Sequence, residues 1–122
     1  MTFLIVDDSK AIRFLLRQAL EQLGHTILAE AKNGMEAIAH FKSFTPEVVT
    51  LDLVMPGENG LNVLKEIKKI SPNANVILIT SAATVEVQKE AAKEGALAIL
   101  HKPFTQKTIE QALKVLKPGK VA

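Results

Sequence analysis

Five short apolar runs, each followed by an amphipathic stretch, constrain the fold more than any other feature of this sequence. The runs are Phe3–Val6, Thr26–Ala31, Val48–Asp52, Val76–Thr80 and Leu97–Leu100. Phe3–Val6 is apolar throughout, as a strand covered on both faces is. After each run the period changes to that of a helix. Ile12, Leu15, Leu16, Ala19, Leu20 and Leu23 recur at the spacing of one helix face, and Gly24 stands where a helix C-terminus places glycine. Ala37, Ile38 and Phe41 stripe a second helix, which follows the Asn33-Gly34 turn signal and runs to about Phe44. Leu61, Leu64 and Ile67 stripe a third, stopped by Ser71-Pro72. A weaker helix rich in Ala, Glu and Lys ends at Glu94-Gly95. Ile109, Ala112, Leu113 and Leu116 stripe the fifth, and the tail from Pro118 is expected to fray. This alternation specifies a three-layer α/β domain built on a parallel five-stranded sheet, expected to be one domain over residues 1–122. Right-handed crossovers leave few topologies for it.

The acids are distributed unevenly. The chain has three aspartates, Asp7, Asp8 and Asp52, while its ten other acids are glutamates, most of them scattered over the helical stretches. All three aspartates fall at the carboxyl ends of apolar runs, where open parallel sheets bind ligands. Thr80-Ser81 and His101-Lys102-Pro103 end or follow two more of the runs. If the first, third, fourth and fifth strands are neighbours, three carboxylates, a hydroxyl and an ammonium converge. Two carboxylates 4 Å apart repel by about 4 kcal/mol at an effective dielectric of 20, against a total domain stability of about 5–15 kcal/mol. Such a cluster is a poor structural device, and one lysine only partly offsets it. A hard divalent cation with oxygen ligands resolves the conflict, and Mg2+ is the natural candidate. With no cysteine, and histidines only at 25, 40 and 101, zinc and iron sites are disfavoured. Asp52 can then act as a nucleophile, since carboxylates form acyl phosphates in enzymes.

Asp7-Asp8, then Asp52 with Met55-Pro56 and Gly60, then Thr80, then Lys102-Pro103-Phe104, together resemble the receiver domain of two-component response regulators. The resemblance covers essentially the whole chain. It implies a flavodoxin-like doubly wound (βα)5 fold with strand order 2-1-3-4-5. It implies that Asp52 accepts a phosphoryl group from a histidine-kinase phosphohistidine. Asp7, Asp8, Asp52 and the Val54 carbonyl would hold Mg2+, for which Mn2+ can substitute. Thr80 would be the switch hydroxyl, preferred to Ser81 because it lies fifteen residues before Gly95, the family's interval. Lys102 would contact the phosphoryl oxygens, through a Lys-Pro peptide that is commonly cis in the family. The implied protein is a signalling phosphoacceptor rather than an enzyme, assisting its own phosphorylation and dephosphorylation. Its partners would be a sensor histidine kinase or phosphotransfer protein and a downstream target, of the chemotaxis or phosphorelay type, bound through the fourth helix, fifth strand and fifth helix. It is expected to be a monomer or a weak phosphorylation-dependent dimer.

Two departures stand out. Ile99 occupies the position three before Lys102 where the family often has a switch aromatic, so a smaller or different rearrangement of the output face is expected. Val54 and Ala82, two residues beyond Asp52 and Thr80, cannot orient a water, so slow autodephosphorylation is expected. One of Asp7 and Asp8 is expected to cap the first helix as well. His101 and the Lys68-Lys69 pair read as solvated surface, and Phe14 as an exposed residue or a partner contact.

Composition limits the alternatives. The net charge of +2 is too balanced to argue for direct nucleic-acid binding, and five Phe with no Trp or Tyr give few stacking plates. No apolar run has membrane-spanning length and no signal-type segment is present, so a cytoplasmic protein without membrane contact is expected. A dehalogenase-type phosphatase would carry a second acid at Val54 and needs a cap domain. A flavin carrier would not place Asp7-Asp8 in its phosphate loop. A constitutive docking module and an excised piece of a longer regulator complete the alternatives.

Overall fold

The computed structural model describes residues 1–81 and 83–116. The expectations for Ala82 and for the tail from Pro118 lie outside the described residues. The elements are β1 (Thr2–Val6), α1 (Lys10–Gln22), β2 (Thr26–Ala31), α2 (Gly34–Phe44), β3 (Val48–Asp52), α3 (Gly60–Ile70), β4 (Asn75–Thr80), α4 (Val85–Lys93), β5 (Ala98–His101) and α5 (Gln106–Leu113). The strands form one parallel sheet in the order β2-β1-β3-β4-β5, the flavodoxin-like arrangement expected. Val54–Met55 and Glu58–Asn59 pair antiparallel, a small ladder within what reads from sequence as a plain loop.

The central strands are mainly apolar, and their period of two sorts the side chains onto two faces. Phe3, Ile5, Val48, Ile77 and Ile79 pack with Leu16 and Leu20 of α1 and Ile109 of α5. Leu4, Val6, Val49, Leu51, Val76 and Leu78 pack on the other face with residues of α2, α3 and α4, including Phe41, Leu64, Ile67 and Ala91. The sheet is thus covered on both sides, which is why its strands lack polar alternation. Leu116, beyond the end of α5, still packs against the first of these clusters.

Three expectations are corrected here. Leu15 is not inward: it is 50% exposed, because each residue turns about 100° from the last and Leu16, not its neighbour, meets the sheet. Neither aspartate caps α1. Ser9 is the N-cap, its hydroxyl accepting from the Ile12 N–H, and Asp7 instead accepts from the Ser9 N–H at 2.9 Å. Lys68 is not a solvated lysine. Its ammonium donates to the Ala74 and Pro72 carbonyls at 2.6 and 3.2 Å, satisfying backbone groups of the turn before β4, and burial lowers its pKa.

Candidate functional site

The sheet order places the ends of β1, β3, β4 and β5 side by side, and each delivers one polar group to the same rim. Asp7 directly follows β1 and is 1% exposed; Asp52 is the last residue of β3 and is 5% exposed. Thr80 ends β4 and is equally buried, while Asp8 and Ser81 are exposed. The register sets Thr80 opposite His101, and the Lys102 N–H donates to the Thr80 carbonyl at 2.8 Å. That bond holds Lys102 beside the end of β4, with its ammonium reaching the rim. His101 itself is exposed, as expected.

Carboxylate oxygens of Asp7, Asp8 and Asp52 lie within 4.8 Å of one another. The Lys102 ammonium bridges the two buried ones, donating to Asp7 Oδ2 at 3.0 Å and to Asp52 Oδ2 at 3.3 Å. Asp52 Oδ1 accepts from the Val54 N–H at 3.2 Å. Gly60 holds the loop beyond Asp52 down on the strand end. Its N–H donates to the Leu53 carbonyl, and a Cβ there would stand 2.7 Å from the Asp52 carbonyl oxygen.

The electrostatics leave the acids only partly compensated. At 4.8 Å two buried carboxylates repel by about 3–4 kcal/mol at an effective dielectric of 20. Burial raises the Asp52 pKa, and Asp7's charge raises it further, against the Val54 N–H and Lys102. Burial alone would lower Lys102, but its hydrogen bond and charge pairing with Asp7, then Asp52, outweigh this and raise its pKa. The ammonium is therefore held firmly protonated. Three clustered carboxylate oxygens with exposed Asp8 opening the cluster to solvent form a donor set for a hard cation.

A family model, the response regulator receiver domain, matches residues 3–114. The chain belongs to this family. The receiver is 38% identical over 110 residues to the chemotaxis protein CheY of Thermotoga maritima, covering 90% of this chain and 92% of that protein. It is 35% identical over 117 residues to the sporulation initiation phosphotransferase F of Bacillus subtilis, covering 96% and 94%. Among solved structures, the CheX–CheY–BeF3–Mg2+ complex of Borrelia burgdorferi matches with a TM-score of 0.91 and 30% identity, covering 96% of this chain and 90% of that one. As a receiver of the CheY type it is a phosphoacceptor of response regulation and a signalling protein. Receiver domains bind Mg2+ through an acidic pocket, and the Asp7–Asp8–Asp52 cluster fits that requirement.

Other residues singled out from the sequence have defined surroundings. The Lys102-Pro103 peptide is cis. Val54 is 63% exposed, an apolar side chain beside the receiver's acidic rim. Ile99 is half-buried and packs against the core on the α2–α4 face. Phe14 is 60% exposed. No helix among the described residues is long and apolar enough to cross a membrane.

Sequence reasoning missed the groups that hold the acids in place. Arg13 donates from Nη1 to the Asp7 carbonyl at 2.7 Å and from Nε to Glu30 at 3.0 Å, and Arg17 Nε holds the same glutamate at 2.7 Å. Glu30 is on β2 and the arginines are on α1. They read as surface charges until the order β2-β1 is known.

Proposed function

We propose that Asp52 is the phosphoacceptor of a Mg2+-dependent transfer from a histidine kinase or phosphotransfer protein. In the transfer an Asp52 carboxylate oxygen forms a bond to phosphorus as the P–N bond of a phosphohistidine breaks. The electron pair of that bond stays with the departing imidazole, which takes up a proton. The observation that carries this reading is the single ammonium of Lys102 bridging Asp7 and Asp52 with Asp8 close by. That ammonium already sits where a phosphoryl on Asp52 would place its oxygens, and phosphoryl transfer asks mainly for such positioning and charge neutralisation.

Asp7, Asp8, Asp52 and the Val54 carbonyl would hold the metal ion. When bound, Mg2+ neutralises charge on the carboxylates and the phosphoryl oxygens. Thr80, buried at the end of β4, is the hydroxyl that reaches the phosphoryl group, and its movement couples to Ile99 on the neighbouring strand. The output is a population shift of the α4-β5-α5 face, read by a downstream protein rather than by nucleic acid. A cytoplasmic location, residues 1–122 acting as one receiver unit, and a monomer or weak phosphorylation-dependent dimer complete the reading.

Incubation with acetyl phosphate and Mg2+ tests it by mass spectrometry. The wild type gains one phosphoryl group, and neither Asp52→Asn nor a sample in excess chelator does. An unmodified wild type, or an Asp52→Asn protein that is still phosphorylated, overturns it.

A further inference from the structure

Asp8 stands out because, among the described residues, nothing grips its side chain. Asp7 is held at Oδ1 by the Ser9 N–H and at Oδ2 by Lys102, and Asp52 by the Val54 N–H and Lys102. Among the described residues no hydrogen bond or ion pair holds the Asp8 carboxylate, which is exposed yet lies within 4.8 Å of the other two. The direction in which its side chain leaves the backbone is set by the orientation of the Asp7–Asp8 peptide. That peptide's carbonyl, on Asp7, accepts the 2.7 Å bond from Arg13 Nη1. Arg13 is in turn fixed at Nε by Glu30, and Arg17 fixes Glu30 from its other oxygen. The Arg13 side chain is only 15% exposed, so the bridge from β2 to the Asp7 carbonyl is largely shielded from water.

We infer that Arg13, anchored by Glu30, is a positioning residue that aims the Asp8 carboxylate into the cation site by fixing the Asp7–Asp8 peptide. The inference rests on the Mg2+ site proposed above and goes beyond it to a residue that touches neither the metal nor the phosphoryl group. Groups that orient metal ligands from behind cost about 10–100-fold in metal affinity when removed.

The sign of the effect separates positioning from electrostatics. Arg13 carries a positive charge beside a cation site, so if it acted only through charge, its removal would tighten Mg2+ binding. Positioning requires the opposite. The experiment measures Mg2+ affinity by calorimetric titration for the wild type, Asp8→Asn, Arg13→Met, Arg13→Lys and Arg17→Met, with metal-free melting temperatures recorded for each. Arg13→Met is expected to bind Mg2+ about tenfold more weakly. Arg13→Lys keeps the charge but cannot bridge Glu30 and the Asp7 carbonyl together, and it should also weaken binding. Arg17→Met loses an ion pair to the same glutamate without touching the Asp7 carbonyl, and its Mg2+ affinity should stay close to wild type. Should Arg13→Met fail to fold, Arg13→Lys against Arg17→Met decides by the same criterion. Unchanged or tighter Mg2+ binding in the Arg13 variants, with wild type binding and Asp8→Asn impaired, overturns this inference and leaves the functional reading standing. A wild type that binds no Mg2+ overturns both.

Discussion

Replacing Asp52 with asparagine probes the site's electrostatics with no phosphate present. The Asp52 charge faces a buried Asp7 within 4.8 Å, a repulsion of about 3–4 kcal/mol at an effective dielectric of 20. Lys102 attracts it from 3.3 Å by about 5 kcal/mol on the same scale. Exposed Asp8 adds a further repulsion that solvent screens. These terms nearly cancel, so desolvation decides, and confining a carboxylate at 5% exposure costs several kcal/mol. Asparagine has the same shape, keeps an oxygen for the Val54 N–H, and leaves Lys102 paired with Asp7 at 3.0 Å. Without Mg2+ at neutral pH, Asp52→Asn should therefore be more stable than wild type by about 2 kcal/mol, roughly 6–10 °C in Tm for a domain of this size. The sign with pH follows from the raised Asp52 pKa. Stability tied to that carboxyl is fully present below its ordinary value of 3.8 and is lost as pH rises through the higher folded value. The variant's advantage should thus vanish in acid and be complete above the folded pKa. Thermal melts in chelator across this range are the assay, and adding Mg2+ should close the gap by stabilising the wild type. An Asp52→Asn protein that melts at or below wild type in chelator at neutral pH would refute the reasoning.

Other expectations concern separate parts of the molecule. The Thr50 hydroxyl is buried with no hydrogen-bond partner among the described residues, so Thr50→Val should raise stability by about 1 kcal/mol in urea titrations, and a loss would show a missing partner. Burial would raise the Glu30 pKa, but hydrogen bonds from Arg17 and Arg13 outweigh it and lower the pKa. Its stabilising share is therefore present above the ordinary value of 4.5 and lost as pH falls below that. Glu30→Gln should accordingly lose less stability than wild type on acidification, and parallel acid melts would contradict this. With an apolar, exposed Val54 beside the acceptor, the phosphorylated form should hydrolyse slowly, and a half-life of seconds by radiolabel loss would count against it. Ile99 and α4 should shift less on beryllofluoride binding than the corresponding parts of an aromatic-bearing relative, which a pair of crystal structures would measure.

The fold was legible because apolar period and strand-end chemistry are local signals. Phe3–Val6 and Val48–Asp52 announce buried parallel strands, and a lone aspartate ending such a run has few structural uses. What was not legible depends on packing between elements far apart in sequence. Leu15 fits the helical stripe as well as Leu16 does, and only the angle at which α1 lies on the sheet separates them. Lys68 finds backbone carbonyls that exist only once the turn before β4 has closed. Ser9 rather than either aspartate caps α1, while Asp7 is engaged by Lys102, ninety-five positions away. Arg13 and Glu30 belong to the site only because β2 lies beside β1.

The distribution of burial also says where a phosphorylation signal can go. A change of charge at Asp52 acts on a group whose surroundings are fixed on three sides, since β1, β3 and β4 are almost wholly buried and pack on both faces. Deforming them would break close-packed contacts that resist gradual displacement. The far side of the site is different. α4 has nine residues, of which Ala91 alone is fully buried, and Val85 in its first turn is 62% exposed. β5, the strand it adjoins in sequence, lies at the sheet's edge with Ile99 only half-covered. Elements with so few buried contacts lie at the low-stability end of the molecule and rearrange for a small free energy. Under the proposed function, a pull exerted on Thr80 by a phosphoryl group would be transmitted where resistance is least. The response is therefore expected on α4 and β5 rather than on α1 or α2, whose inward residues pack against the sheet.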